Sequence, residues 1–247
     1  MMVLGKRGRP GSMKYVPRYA KRITRGPYVP RGLTLRPNNA SVARQVEMKF
    51  VDISPTFALD FATPYHINLL NGIATGSDLY QRVGRSVYMK NLHIDFQCQN
   101  INTGSSTPDL EMRVLVVLDK APNGAALPVL ADFLREINAA GAATTNLNSH
   151  QNTNNRQRFK FLFDKKIGIP PWNVGATTTG APALNMADVY WRKHIKCNHK
   201  MQFSGTGSAV SDIQTNALYV IMAHDQAAVI AAPWQLKIQA RVDFTDI

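Results

Sequence analysis

SVYMKNLHIDFQCQ, residues 86–99, decides the fold. From Leu92 onward every second side chain is apolar, with Leu92, Ile94, Phe96 and Cys98 separated by His93, Asp95 and Gln97. Successive side chains of a strand point to opposite faces, so this pattern is a strand with one dry and one wet face. Val87 and Met89 lie in the opposite phase. A β-bulge near Lys90 and Asn91 brings both halves onto the same face.

The flanking chain repeats the pattern. Residues 233–244 alternate Trp234, Leu236, Ile238, Ala240, Val242 and Phe244 with polar neighbours, and 191–203 place Ile195, Cys197, Met201 and Phe203 inward. LEMRVLVVLD (110–119) and NALYVIMA (216–223) are apolar with few breaks, as strands buried on both faces are. RFKFLFDK (158–165) is a further strand. In 45–52, Val46, Met48 and Phe50 alternate with Glu47 and Lys49, which predicts a strand with the first three inward. The prolines and glycine of 57–72 predict a short strand and loops. Pro122-Asn123-Gly124 marks a turn. One helix is predicted over 127–137, where Leu127, Leu130, Phe133, Leu134 and Ile137 have helical spacing and Pro128 suits a first turn. Residues 141–155 and 168–187 are neutral and rich in small and polar types, which predicts long loops facing outward or meeting symmetry mates. The sum is an all-β chain, an eight-stranded antiparallel jelly-roll sandwich with one short helix in a loop.

The domain expected over 45–247 is preceded by a different kind of chain at 1–44. Up to Arg44 there are eleven basic residues and no carboxylate, the first acid being Glu47. The remaining eighteen basic residues face all sixteen acids, so the net +13 leaves the body only +2. Pro10, Pro17, Pro27, Pro30 and Pro37 break any helix, and apolar residues are too few to offset the ordering entropy. The arm is expected to be disordered or extended. A flexible polycation grips a polyanion by releasing counterions, with no sequence code. Tyr15 and Tyr19, interleaved with the charges, suit stacking on unpaired bases. The residues expected to bind nucleic acid are therefore Lys6, Arg7, Arg9, Lys14, Tyr15, Arg18, Tyr19, Lys21, Arg22, Arg25, Arg31, Arg36 and Arg44, with Lys49 beside the arm's exit. Lys6, Arg7, Arg9 and Lys21, Arg22, Arg25 also form two clusters of the kind read by nuclear import machinery.

Chemistry is sparse in the body. No Walker-type loop, GxSxG, HExxH or EF-hand loop occurs, and no cofactor is implied. His194, Cys197 and His199, with Cys98, are the one metal-like cluster, but a strand turns His194 away from the other two, so no metal site is expected. Asp109, Glu111 and Asp119 are expected in surface or inter-subunit ion pairs near Arg113 and Lys120. The two cysteines are expected as buried free thiols, natural in a reducing compartment. No stretch reaches the roughly 20 apolar residues of a membrane span.

Two stretches go beyond pattern. GSDLYQRVGRSVYMKNLHIDFQ (76–97) and MRVLVVLDKAPNGAALP (112–128) resemble capsid (coat) proteins of circular Rep-encoding single-stranded-DNA viruses, of circovirus and geminivirus type. The likeness rests on the turn Gln81-Arg82-Val83-Gly84-Arg85 leading into a long strand, and on Asp119, Pro122 and Gly124 closing the next. RFKFLFDKK (158–166), HKMQFSGTG (199–207) and the basic arm extend it. The resemblance implies a non-enzymatic shell subunit that self-assembles into an icosahedron of roughly sixty copies. It also implies a single-stranded DNA genome packaged by the arm, passage through the host nucleus, a host-cell receptor and no membrane insertion. Arg82 and Arg85 become candidates for inner-face or inter-subunit contacts. Satellite RNA viruses share this plan, and a small β-rich nucleic-acid-binding oligomer or a sandwich hydrolase with a basic tail are the other classes.

Overall fold

The computed structural model describes residues 47–60, 62–101, 109–124, 126–137, 140–170, 188–225 and 234–247. The predicted arm and most of the loop predicted at 168–187 lie outside the described residues. Its strands are β1 (Lys49–Ile53), β2 (Thr56–Leu59), β3 (Tyr65–Leu69), β4 (Ser86–Asn100), β5 (Leu110–Asp119), β6 (Glu136–Ile137), β7 (Ala143–Thr144), β8 (Phe159–Ile169), β9 (Val189–Phe203), β10 (Ile213–Thr215), β11 (Ala217–His224) and β12 (Trp234–Asp246). A single-turn helix, α1 (Leu130–Phe133), lies between β5 and β6.

One sheet runs β1-β12-β4-β9-β10, and the other runs β3-β11-β5-β8. β1 and β2 form one edge broken at Pro55, since both pair with β12, Ile53 opposite Ala240 and Thr56 opposite Lys237. An edge tolerates a proline because it needs no inward N–H there. Counting that edge once and omitting the two- and three-residue strands, the first strand lies beside the last and the second beside the seventh. The third lies beside the sixth and the fourth beside the fifth. This nesting is one long antiparallel hairpin rolled into two facing layers, the jelly roll expected from the sequence.

The core follows from the alternation. Val87, Met89, Leu92, Ile94, Phe96 and Cys98 of β4, and Trp234, Leu236, Ile238, Val242 and Phe244 of β12, are at most 1% exposed. Each such side chain contributes about 1.5–3 kcal/mol through burial. Asp243 and Phe244 of β12 face Asn91 and Met89, so Lys90 is the extra residue of the bulge. Phe96 reaches across to Phe163 of β8, with ring centroids 6.4 Å apart. β5 is buried on both sides because residues within 126–137 and 140–155 cover its outer face. There Phe133 packs on Phe159 at 4.6 Å, and Arg113 donates to the carbonyls of Leu147 at 3.1 Å and Ser149 at 2.6 Å.

Three expectations change. In β1 the inward residues are Lys49, Val51 and Ile53, while Met48 is exposed. Phe50 lies on the outer face, where the Arg241 guanidinium covers its ring at 4.2 Å. The predicted helix shrinks to one turn because its second half pairs in extended form: Arg135 N donates to His150 O, and Glu136 and Ile137 face Thr144 and Ala143. Residues 141–155 are not a free loop. Leu147 and Ser149 are buried against the chain's own sheet.

Candidate nucleic-acid interface

Of the residues marked in the sequence for nucleic acid, those from Lys6 to Arg44 lie outside the described residues, and Lys49 alone is described. Lys49 does not present an open charge. It is 4% exposed, its ammonium pairs with Asp246 at 3.0 Å, and it donates to Gln81 O at 3.0 Å. Arg82 is likewise no surface contact. Its guanidinium, 1% exposed, donates to the carbonyls of Ile73 at 2.9 Å, Gly84 at 2.6 Å and Gly205, and lies 3.9 Å over the Phe203 ring. Five donors in a rigid fork let one arginine tie three backbone segments together. Arg85 remains exposed.

The outer face of the larger sheet is polar, and its two arginines are paired. Arg241 chelates Asp52 with two bonds of 2.7 Å, Arg192 chelates Asp95 at 2.7 and 2.9 Å, and His93 lies 3.2 Å from Asp243. His194 stacks on His93 at 4.4 Å. The two arginines, their aspartates, His93 and Asp243 line an open cleft of about 700 Å³. Hydrogen bonds from Arg241 and Arg192 hold the Asp52 and Asp95 carboxyls below the usual carboxylate range. Each of these two arginines has its own counterion, so the cleft itself offers a polyanion little.

The cysteine–histidine cluster separates as strand geometry requires. His194 is outward beside His93, and Cys197 is buried on the other face. Burial pushes the Cys98 thiol up to about 12 and Cys197 to about 11, so neither is a ready thiolate. Among the described residues no group of three His, Cys, Asp or Glu is placed to hold a metal. Asp119 is not a surface ion pair: it is fully buried and takes two bonds, 2.9 and 2.7 Å, from Arg158. Arg113 pairs instead with Asp164 at 2.7 Å.

The body's charge is unevenly placed, which the sequence average of +2 conceals. β8 and β9 together carry seven Lys and Arg against the single Asp164. The rest of the body, residues 45–247 without these strands, has eleven basic and fifteen acidic residues. Two strands thus carry +6 and the remainder −4. Among the described residues β8 is the edge of one sheet, and β9 is bordered on its side away from β4 only at Gln202 and Phe203, by the three-residue β10. The lysines are legible in the sequence. Their assembly along one side of the sandwich is not, because it needs the pairing order.

No family model matches the chain and no curated protein matches it. Among solved structures, a chain titled Desmodium yellow mottle tymovirus is 13% identical with a TM-score of 0.28, covering 100% of this chain and 96% of that one. Another, titled Israeli acute paralysis virus heated to 63 degree, full particle, is 9% identical with a TM-score of 0.32, covering 99% and 89%. At TM-scores this low the likeness carries no argument for family or function.

Proposed function

We propose that this chain is the shell-forming subunit of a small icosahedral virus, its jelly-roll body serving as the tile and its basic arm packaging a single-stranded DNA genome. The observation that carries this reading is the junction of two unlike parts. Eleven basic residues with no carboxylate precede the first strand of a jelly roll whose own net charge is +2. The body gives shape and neighbours, and the arm gives sequence-independent affinity for phosphates. Roughly sixty copies of such an arm place several hundred positive charges, to order of magnitude, against the genome. Lys6, Arg7, Arg9, Lys21, Arg22 and Arg25 serve nuclear import before assembly. A phosphate-reading arm takes RNA by the same physics, so the cargo is decided by sequencing the nuclease-protected nucleic acid of purified particles.

The expressed chain is expected to form megadalton shells in negative-stain microscopy, and a small oligomer persisting across pH and salt refutes the tile. Deleting residues 1–36 is expected to leave a folded body that has lost most of its nucleic acid. An unchanged nucleic-acid load refutes the arm's role. Alanine at the six import residues is expected to keep a fluorescent fusion out of the nucleus.

A further inference from the structure

Where β8 and β9 face each other, lysines lie beside half-buried aromatic rings. Lys160 Nζ donates to His199 Nε2 at 3.3 Å, so a lysine charge is held against a neutral imidazole there. Burial, then Lys160, then Lys120 push the His199 imidazole below its ordinary range, and no carboxylate acts on it in return. Further along, Lys193 lies 5.7 Å over the Phe163 ring and Lys165 lies 5.9 Å from the Trp191 ring. Trp191 stacks on Phe96 at 4.9 Å with its indole N–H buried, so only the remaining part of the half-buried ring is open to solvent. Lys160, Lys165 and Lys193 are exposed, and among the described residues none forms an ion pair. Of the connection between the two strands, residues 170–187 contain no charged side chain, and Asp188 at its end takes a bond from Gln97 at 3.2 Å.

Lysines on edge strands also serve to block edge-to-edge aggregation. That role asks only for scattered exposed charge. It does not ask for lysines interleaved with half-buried aromatic rings. Charge without counterions, alternating with π-faces, is the composition of a single-strand track. From Lys160 to Lys165 the strand runs roughly 16 Å at about 3.3 Å per residue, the reach of several nucleotides.

We infer that the facing edges of β8 and β9 form a second contact for single-stranded nucleic acid, in which Lys160, Lys165 and Lys193 meet successive phosphates beside Trp191 and His199. The inference rests on the nucleic-acid reading above and adds a built track on the body to the arm. The arm supplies affinity without geometry, and the track fixes where a strand lies on the tile.

The test uses the full-length chain and a fluorescent twenty-nucleotide oligo-dT, with affinity measured by anisotropy over a salt series. One variant carries Lys160→Gln, Lys165→Gln and Lys193→Gln. A control of equal charge loss carries Arg85→Gln, Lys90→Gln and Lys237→Gln. A third carries Lys6→Gln, Arg7→Gln and Arg9→Gln. Losing three phosphate contacts at about 0.7 per contact lowers the salt slope by about 2, and weakens binding about 50-fold at 0.15 M salt. The track variant is expected to show this loss, the control no comparable loss, and lysine-to-arginine changes at the same three positions are expected to retain binding. An unchanged slope in the track variant, with loss in the arm variant, overturns this inference and leaves the arm's role standing. Unchanged slopes in both overturn the nucleic-acid reading itself. An unchanged slope with lost shell assembly assigns the edge to a subunit contact, and an unchanged slope with lost retention on a sulfated polysaccharide assigns it to a glycan. Either result also overturns the inference. Thermal unfolding of each variant separates loss of contact from loss of fold.

Discussion

Replacing Arg82 with alanine is expected to unfold the body rather than disarm it. The guanidinium makes three bonds to carbonyls of separate segments, at Ile73, Gly84 and Gly205, and covers Phe203. Charge-assisted bonds contribute about 1.5–3 kcal/mol each, and the cation–π contact about 1 kcal/mol. Against this stands a desolvation cost of several kcal/mol for a guanidinium that is almost wholly buried. The balance, together with three carbonyls left short of a donor, gives a loss of about 3–5 kcal/mol. With a urea m-value of about 2 kcal/mol/M, the unfolding midpoint drops by about 2 M. Arg82→Lys keeps the charge but cannot span three carbonyls, so about half the loss is expected. The fluorescence of Trp234, fully buried, follows the transition in unassembled protein. An Arg82→Ala chain within about 0.5 kcal/mol of the parent, but with weakened nucleic-acid binding, refutes the reasoning and returns Arg82 to the surface role its sequence suggests.

Three further outcomes are expected. His66, His199 and His224 are each held below the ordinary imidazole range, chiefly by burial, so the unfolded chain binds protons more readily than the folded one. Their contribution to stability is complete above the unfolded value of 6.5 and is lost as pH falls below it, so the urea midpoint drops between about pH 7.5 and pH 5. His224→Gln lessens that drop, and equal pH slopes in parent and variant reject the assignment. Phe133→Ala removes the fully buried ring against Phe159 and costs about 3–5 kcal/mol. Limited proteolysis is then expected to cut first within 140–155, and cleavage unchanged from the parent argues against Phe133 as the anchor of that cover. Gly72→Ala brings a Cβ within 2.2 Å of the Ser208 carbonyl oxygen, a backbone atom with no easy retreat. A loss of about 1–3 kcal/mol is expected by thermal unfolding, and an unchanged midpoint contradicts it.

The long strands were legible because each carries its own evidence. β4 and β12 alternate over ten or more residues, and the phase break at Lys90 can be seen without knowing any partner. β1 misled because its apolar and charged residues exchange places. Lys49 buries its stem and pairs with Asp246, while Phe50 is covered from outside by Arg241. A five-residue strand has too few positions for periodicity to outvote one such exchange. The predicted helix failed through partners far along the chain: Leu134 bridges Gln151, and Asn152 N donates to Phe133 O. Arg82 hid its role for the same reason, since Ile73 and Gly205 lie on loops that only the fold brings to it. The basic seam of β8 and β9 is harder still. Each strand taken alone resembles a solvated edge, and the uncompensated charge emerges only when two edges face one another.

The first and last strands lie side by side, with Lys49 opposite Phe244 and bonded to Asp246. A peptide grafted after Ile247 therefore starts from almost the same spot as the leader that precedes β1. On the proposed reading, in which the leader meets the cargo, an enzyme to be encapsulated belongs at that terminus and a display tag belongs elsewhere.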